Sequence, residues 1–430
     1  MDRAANRSTP NGVVAVAIED DVFIVGGGIA GMTAALAAAE AGASARLATK
    51  KQSTLRQASG LADVLGYVNG DLVVDPFEKI QTLPAEHPYS IVGESAIRAG
   101  LARFDRVTGD TYRGSHTDRN ALVPTHGGTV KPTARYPESV AAGLGSDDRD
   151  MLLAGFDGLV DFDAPAAAAH LEAAGVPFDT RGVTVTFPLD FEPDAKKTRF
   201  AHALDIDEGD VRGRLADRIA KVHENEPRIG LPAVLGTDEH RRIRTELANT
   251  LDADVFEVPT GPPSLPGIRL EGVYLSALRD AGVEIVRNEV VDFERSGKRI
   301  TSVTVDRNGQ RIPHAASSFV LATGGLVGTG LISDREAVRE PVFDCHIQVP
   351  EDREDWYERD LYGEQPYAKF GVSVDEQLRP QTVGGEPEFE NLRAAGSVLG
   401  GFDFPASGSG TGISLATGSL AGRLAGEEAT

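Results

Sequence analysis

A chain of 430 residues with 41% hydrophobic content is long enough for roughly two to three domains and can bury large cores. Its net charge of −22, from 65 acidic and 43 basic residues, argues against a nucleic-acid partner and against direct docking on anionic lipid. The single cysteine, Cys345, rules out an internal disulfide and a self-ligated iron–sulfur cluster, which takes about four thiolates. Only nine of the basic residues are lysine, a pairing with acidic excess that suits a salt-loving organism; an ordinary acidic cytosolic enzyme is the alternative. The nine histidines are scattered without paired Cys/His spacing, so no structural metal is expected. No apolar run of about 18 residues occurs, which leaves a soluble, cytoplasmic chain unless a partner anchors it.

In chain order, residues 1–18 carry Asn, Ser, Pro and Gly around a short apolar run, Val13 to Ile18, and are expected to be a disordered or mistranslated tail. Asp21 to Gly31 then reads as a buried strand, a glycine turn and a helix start in unbroken succession. Gly26 permits the tight turn, Gly28 lets a phosphate approach the backbone, and Gly31 lets the helix pack close to the sheet. The helix is predicted over Ile29 to Ala41, with Gly42 after it and a second strand over Ala45 to Thr49. A phosphate held here lies at the positive end of the helix dipole, so the element predicts a dinucleotide or flavin site.

The loop Lys50 to Gly60 is dense in hydroxyls and amides; Lys50, Ser53, Thr54, Ser59 and Gly60 are candidate flavin-lining residues, against the plain reading of a polar surface loop. A Rossmann unit usually ends its second strand in Asp or Glu, which accepts hydrogen bonds from the adenosine ribose. Thr49 holds that place, followed by Lys50 and Lys51. This favours FMN, with FAD as the alternative.

From about Phe104 to Thr260 helix-forming segments, Pro165 to Ala174 and Asp210 to Val222, alternate with β-like Val183 to Phe187 among many Pro and Gly residues. This region is expected to be an inserted cap. Its run Pro124 to Pro137 gathers His126, Lys131 and Arg135, which are either a functional loop over the cofactor or a Pro/Gly-rich crossover. The cationic groups Lys196, Lys197 and Arg199, then Arg241, Arg242 and Arg244, are expected to pair with nearby carboxylates rather than bind an anion.

The first domain's pattern returns with a helix over Leu270 to Asp280, a strand over Val283 to Val286, and a hairpin of Ile300 to Val305 and Arg311 to Ile312 around Asn308-Gly309. A strand over Ser318 to Ala322 runs into Thr323-Gly324-Gly325, an ending that fits a chain crossing near a cofactor. Asn391 to Gly396 opens a last strand, and Gly408 to Gly412, including Gly410 and Thr411, opens a last helix over Ile413 to Leu424. That helix N-terminus suits negative charge on a reduced ring. The expected fold class is α/β: a Rossmann-like flavin-binding domain of two-dinucleotide-binding type from 19–103, 261–335 and 365–430, an inserted α+β cap over 104–260, and an excursion toward the cap over 336–364.

On Gly26 to Gly31, the Lys51 to Leu65 loop and Asn391 to Gly412, the chain resembles the B-subunit family of the anaerobic, quinone-linked glycerol-3-phosphate dehydrogenase, in haloarchaeal form, over Ile18 to Ala425. More distantly it is similar to the fumarate reductase and succinate dehydrogenase flavoproteins. In that wider group a histidine in the loop after the second strand often carries the flavin covalently; Gln52 to Gly60 has none, which implies a noncovalent flavin. The resemblance implies oxidation of sn-glycerol 3-phosphate to dihydroxyacetone phosphate with electrons passed to a quinone. It also implies a catalytic FAD subunit and an iron–sulfur, membrane-contacting subunit as partners, with peripheral membrane association through them. A self-sufficient FAD oxidoreductase of the fumarate-reductase type and a non-catalytic assembly subunit are the competing readings.

Overall fold

The computed structural model describes residues 17–192, 195–360 and 363–430, so the expected N-terminal tail lies outside the described residues up to residue 16. The first strand, β1 (Ile18–Val25), starts at the last residue of that tail and ends in fully buried Val22, Phe23 and Ile24. Apolar residues on both faces are what a strand covered on two sides requires. It leads into α1 (Ile29–Glu40) and then β2 (Ala45–Ala48), which pairs parallel with β1 from Val22↔Ala45 to Val25↔Ala48. The helix α2 (Pro88–Thr108), unforeseen in the sequence, is interrupted at Gly93, where φ is +75°.

A second sheet lies between residues 151 and 258. It is built from β3 (Met151–Asp157), α3 (Ala164–Ala173), β4 (Thr180–Thr186), α4 (Lys197–Ile206), α5 (Val211–Ala220), β5 (Arg228–Pro232), α6 (His240–Leu251) and β6 (Asp254–Val258). Its strands run in the order β4-β3-β5-β6, all parallel, within the region expected as an α+β cap. Alternate residues of β3 feed two cores: Leu152 and Ala154 join Phe200, Leu215 and Ile243 from α4, α5 and α6, while Met151 and Leu153 join Ala167 and Leu171 from α3. Side chains that alternate faces along a strand, with helices on both faces, account for this division.

The chain then returns to the first sheet through α7 (Leu265–Asp280), whose N-cap Ser264 accepts a hydrogen bond from the Gly267 N–H at 3.1 Å. The strands β7 (Glu284–Val286), β8 (Glu289–Ser296), β9 (Arg299–Arg307), β10 (Gln310–Leu321) and β11 (Leu392–Ala394) complete a seven-stranded sheet in the order β7-β2-β1-β10-β9-β8, with β11 on the second half of β10. The two strands expected at Arg311 to Ile312 and Ser318 to Ala322 are one strand, because β10 pairs with β1 from His314 to Leu321 while its first half holds β9 antiparallel. The hairpin turn is as expected, with Asn308 at φ +55° and Gly309 at φ +86°. Asn391 closes the gap between β9 and β10: it accepts from the Ile300 N–H at 2.9 Å and donates to Ser317 O at 3.0 Å. The 336–364 segment, expected to reach toward the cap, sets Phe343 against Phe293, Phe319 and Phe389 in the core of the first sheet.

The last helix, α8 (Gly410–Ala429), is longer than expected at both ends. It lies parallel to α1 with Gly418 against Ala30, Gly422 against Ala34 and Gly426 against Ala38, and a Cβ at Gly418 or Gly422 would overlap the facing carbonyl. On its other side, Gly100 of α2 has the Leu415 carbonyl where a Cβ would stand. Small residues at every fourth position bring these backbones close and hold the N-termini of α1 and α8 on one side of the sheet.

Candidate functional site

A cavity of about 890 Å³ opens at the carboxyl ends of β1, β2 and β10, where Val25, Ala48 and Ala322 meet the first turns of α1 and α8. The C-terminal edge of a parallel sheet is where ligands collect in such folds. Gly26 takes φ +120°, and a Cβ there would overlap Ala322 O, so only glycine fits the turn. Gly28, the N-cap of α1, has nothing within 4 Å of where its Cβ would stand: that space is cavity, and a side chain would fill it. No side chain caps α1 there among the described residues, which leaves first-turn N–H groups for an anion.

Of the residues singled out in the sequence, Gly26, Gly28, Thr49, Lys50, Ser53, Thr54, Ser59, Gly324, Gly410 and Thr411 line this cavity. Gly31, Gly60, Gly396 and Gly412 do not; each lets neighbours approach. Gly31 packs on Gly26 O, Gly60 on Pro266, Gly396 on Ala30 with a Cβ gap of only 2.6 Å, and Gly412 on Tyr89. At the end of β2, Thr49 donates its hydroxyl to Lys51 O at 2.7 Å, and Lys50 pairs with Glu289 at 2.6 Å. Glu289, beside Asn288 and Val290 on the wall, therefore brings to the mouth the carboxylate that β2 lacks. Its significance rests on a pairing across 239 residues, a signal absent from local sequence.

The three cap candidates separate. His126 lies at a hairpin tip with Nδ1 3.2 Å from Pro259 O, outside the cavity wall. Arg135 is buried and bidentate on Asp105 at 2.8 and 3.0 Å, with further bonds to Gly114 O and Ala134 O, so its guanidinium is consumed in structure. Lys131 alone faces the cavity, 2.6 Å from Asp63 Oδ2. The other cations are mostly paired: Lys197 with Asp161 at 3.2 Å, Arg241 with Asp110 at 2.9 Å, Arg242 with Glu246 at 2.7 Å, and Arg244 with Glu138.

Asp63 escaped the sequence reading. Its side chain is only 9% exposed, and Oδ1 is buried with no hydrogen-bond partner among the described residues. Leaving a buried acceptor unmet costs about 1–3 kcal/mol. An acid set in the buried apolar run Leu61 to Leu65 was the available clue. The neighbouring Tyr67 phenol is pushed above its ordinary value by burial first, with the Lys131 cation opposing and the Asp63 carboxylate adding to the rise. At the same end Ser409 is the N-cap of α8, and its side chain takes no first-turn N–H among the described residues, so a second open helix N-terminus meets the cavity.

Two helix N-termini without a side-chain cap, a glycine cradle and a partly apolar crevice fit a flavin nucleotide, and the geometry defines a flavin-binding α/β protein. In agreement, residues 21–413 match the family model described as FAD binding domain. The chain belongs to the B-subunit family of anaerobic glycerol-3-phosphate dehydrogenase: it is 55% identical to the probable B subunit of that enzyme in Halobacterium salinarum over 96% of this chain and 99% of that one. It is also 32% identical to the corresponding B subunit of Vibrio cholerae over 92% of this chain and 94% of the relative. Among solved structures, 3-ketosteroid delta1-dehydrogenase from Sterolibacterium denitrificans aligns over 95% of this chain and 99% of that chain, with 13% identity and a TM-score of 0.45. An open flavocytochrome c3 fumarate reductase aligns over 96% and 79%, with 11% identity and a TM-score of 0.44. Among the described residues no helix is long and apolar enough to cross a membrane, and no cluster of three His, Cys, Asp or Glu residues is placed to hold a metal.

Proposed function

We propose that this chain is the flavin-bearing redox subunit of a complex that oxidises sn-glycerol 3-phosphate to dihydroxyacetone phosphate and passes the electrons to a quinone. The observation that carries the reading is the open cradle at Gly28 facing a second helix N-terminus across one cavity, in a chain whose relatives are named for that dehydrogenase. When bound, a flavin supplies two-electron redox chemistry. The chain's own residues hold the phosphate at the first turn of α1 and turn the positive end of α8 toward charge gained on reduction.

The favoured cofactor is FAD, held noncovalently. The family model supports it, and so does a cavity that runs past the cradle to Asn288, Glu289 and Val290, where an adenosine half has room and a carboxylate to accept from a ribose. FMN is the second reading, favoured by Thr49 at the end of β2 and the lysines beside it. The partners in this reading are a catalytic FAD subunit and an iron–sulfur subunit that contacts the membrane. The single Cys345, buried and with its thiol pushed well up by that burial, cannot supply electron-relay clusters here.

Assaying the flavin-loaded chain with glycerol 3-phosphate and a soluble quinone analogue, with and without the partner chains, tests the proposal. Turnover that needs the partners is expected. Equal turnover in both cases would make the chain a complete dehydrogenase and overturn the assignment to a multi-chain complex.

A further inference from the structure

We infer that Lys51 is the cation that clasps the phosphate of the bound flavin nucleotide, its ammonium reaching from the end of β2 over the cradle at Gly26 to Gly28. The inference rests on the flavin reading above and goes beyond it by giving the phosphate a side-chain partner as well as a helix N-terminus. A phosphate ester is common to FAD and FMN, so it does not depend on which of the two is bound.

Three cations line the cavity, Lys50, Lys51 and Lys131, and no arginine or histidine lines it among the described residues. Two of the three are matched by carboxylates: Lys50 meets Glu289 and Lys131 meets Asp63, each at 2.6 Å. Lys51 meets none among the described residues. Its ammonium donates to a hydroxyl, Thr329 Oγ1, at 3.2 Å, which leaves the charge unpaired and the remaining ammonium protons without a partner among the described residues. Both Lys51 and Thr329 are exposed, so a ligand in the cavity can reach them.

The order of the sheet places that ammonium. β1 lies between β2 and β10, whose ends are two strand spacings, about 10 Å, apart. Lys51 leaves the end of β2 and Thr329 belongs to the turn after β10, so the hydrogen bond between them spans the end of β1, where Gly26 to Gly28 form the cradle. All five residues line the one cavity. The cradle touches both sides of the span: a Cβ on Gly27 would stand 2.5 Å from Thr49 Oγ1, and one on Gly26 would stand 2.8 Å from Thr323 N. The turn after β10 folds back on itself, with Gly330 N–H donating to Gly325 O at 3.1 Å, and holds Thr329 at φ +59°. No other β-branched residue among the described residues takes a positive φ, a conformation that costs about 1–3 kcal/mol. The helix end offers about half a positive charge to a phosphate group carrying about two negative ones, and an unpaired ammonium beside it supplies a full charge more.

Apoprotein titrated with FMN, FAD and riboflavin, followed by quenching of flavin fluorescence, tests this without any turnover. Lys51→Met keeps a long unbranched side chain and removes its charge. The variant is expected to bind FMN and FAD about tenfold or more weakly, the range for losing a hydrogen bond to a charged group, and to bind riboflavin, which has no phosphate, within about twofold of wild type. Its FMN affinity should also fall less steeply with added salt than that of wild type, because one charge pair is gone. Unchanged affinity for FMN and FAD, an equal loss for riboflavin, an unchanged salt dependence, or a loss matched by a fall in the melting temperature of the flavin-free protein would overturn the inference while leaving the flavin reading intact. Wild type that bound none of the three flavins would instead overturn the flavin reading itself.

Discussion

Gly422 of α8 sits directly over the carbonyl oxygen of Ala34 on α1, with no room between the two backbones for a Cβ. That contact, repeated one turn away at Gly418 and Ala30, locks two parallel helices together and brings both N-termini to the same cavity. Gly422→Val should therefore destabilise the fold by about 3 kcal/mol or more, at the upper end for overpacking, because backbone rather than a mobile side chain must move. Thermal denaturation and flavin content measured on the same sample would check it: both should fall together. A normal melting temperature would mean that the helices are not in register as described.

Gly28 is the opposite case, a glycine kept for space rather than packing. Nothing lies within 4 Å of its Cβ position, and its φ of −78° suits any residue. Gly28→Val is thus expected to change stability by no more than about 1 kcal/mol, the scale of an N-cap substitution, yet to block the phosphate and give colourless protein. Full flavin retention in the folded variant would show that the phosphate sits elsewhere.

His87 introduces a pH dependence. Its Nδ1 accepts the Tyr89 N–H at 3.1 Å to cap α2, which requires that nitrogen to be unprotonated, and burial lowers its pKa to about 4. A folded pKa below the unfolded value means that the unfolded chain takes up the proton first. Stability is therefore full above about pH 6.5 and is lost as pH falls toward 4, by at most about 1.4 kcal/mol per pH unit from this group. Urea titrations across that window should show a shallower slope in His87→Asn, which keeps an acceptor at the cap. An unchanged slope would remove His87 from the explanation.

Local signals carried much of this structure, and long-range pairing carried what the sequence did not reveal. The β1–α1–β2 unit was legible because its strand, turn and helix are each encoded by adjacent residues. α2 went unassigned: Pro88, Gly93 and Gly100 interrupt its local helix signal, and the close approach of Gly100 to the Leu415 carbonyl is visible only in the fold. Gly31 packs on Gly26 O, in keeping with its place in the motif, whereas Gly60, expected to line the flavin, packs on Pro266, since sequence cannot tell a glycine that admits a cofactor from one that admits another part of the chain. Asp63 and Glu289 acquire meaning only from Lys131 and Lys50, residues far away along the chain.

The most direct measurement is the visible spectrum of the purified chain, followed by denaturation and chromatography of the released flavin. The expected result is flavin absorbance in the blue, with about one FAD per chain in the supernatant and none left on the protein. Released FMN would favour the second cofactor reading, and flavin retained on the denatured chain would contradict noncovalent binding. Colourless protein that takes up neither added FAD nor added FMN would contradict the central claim that this chain carries a flavin.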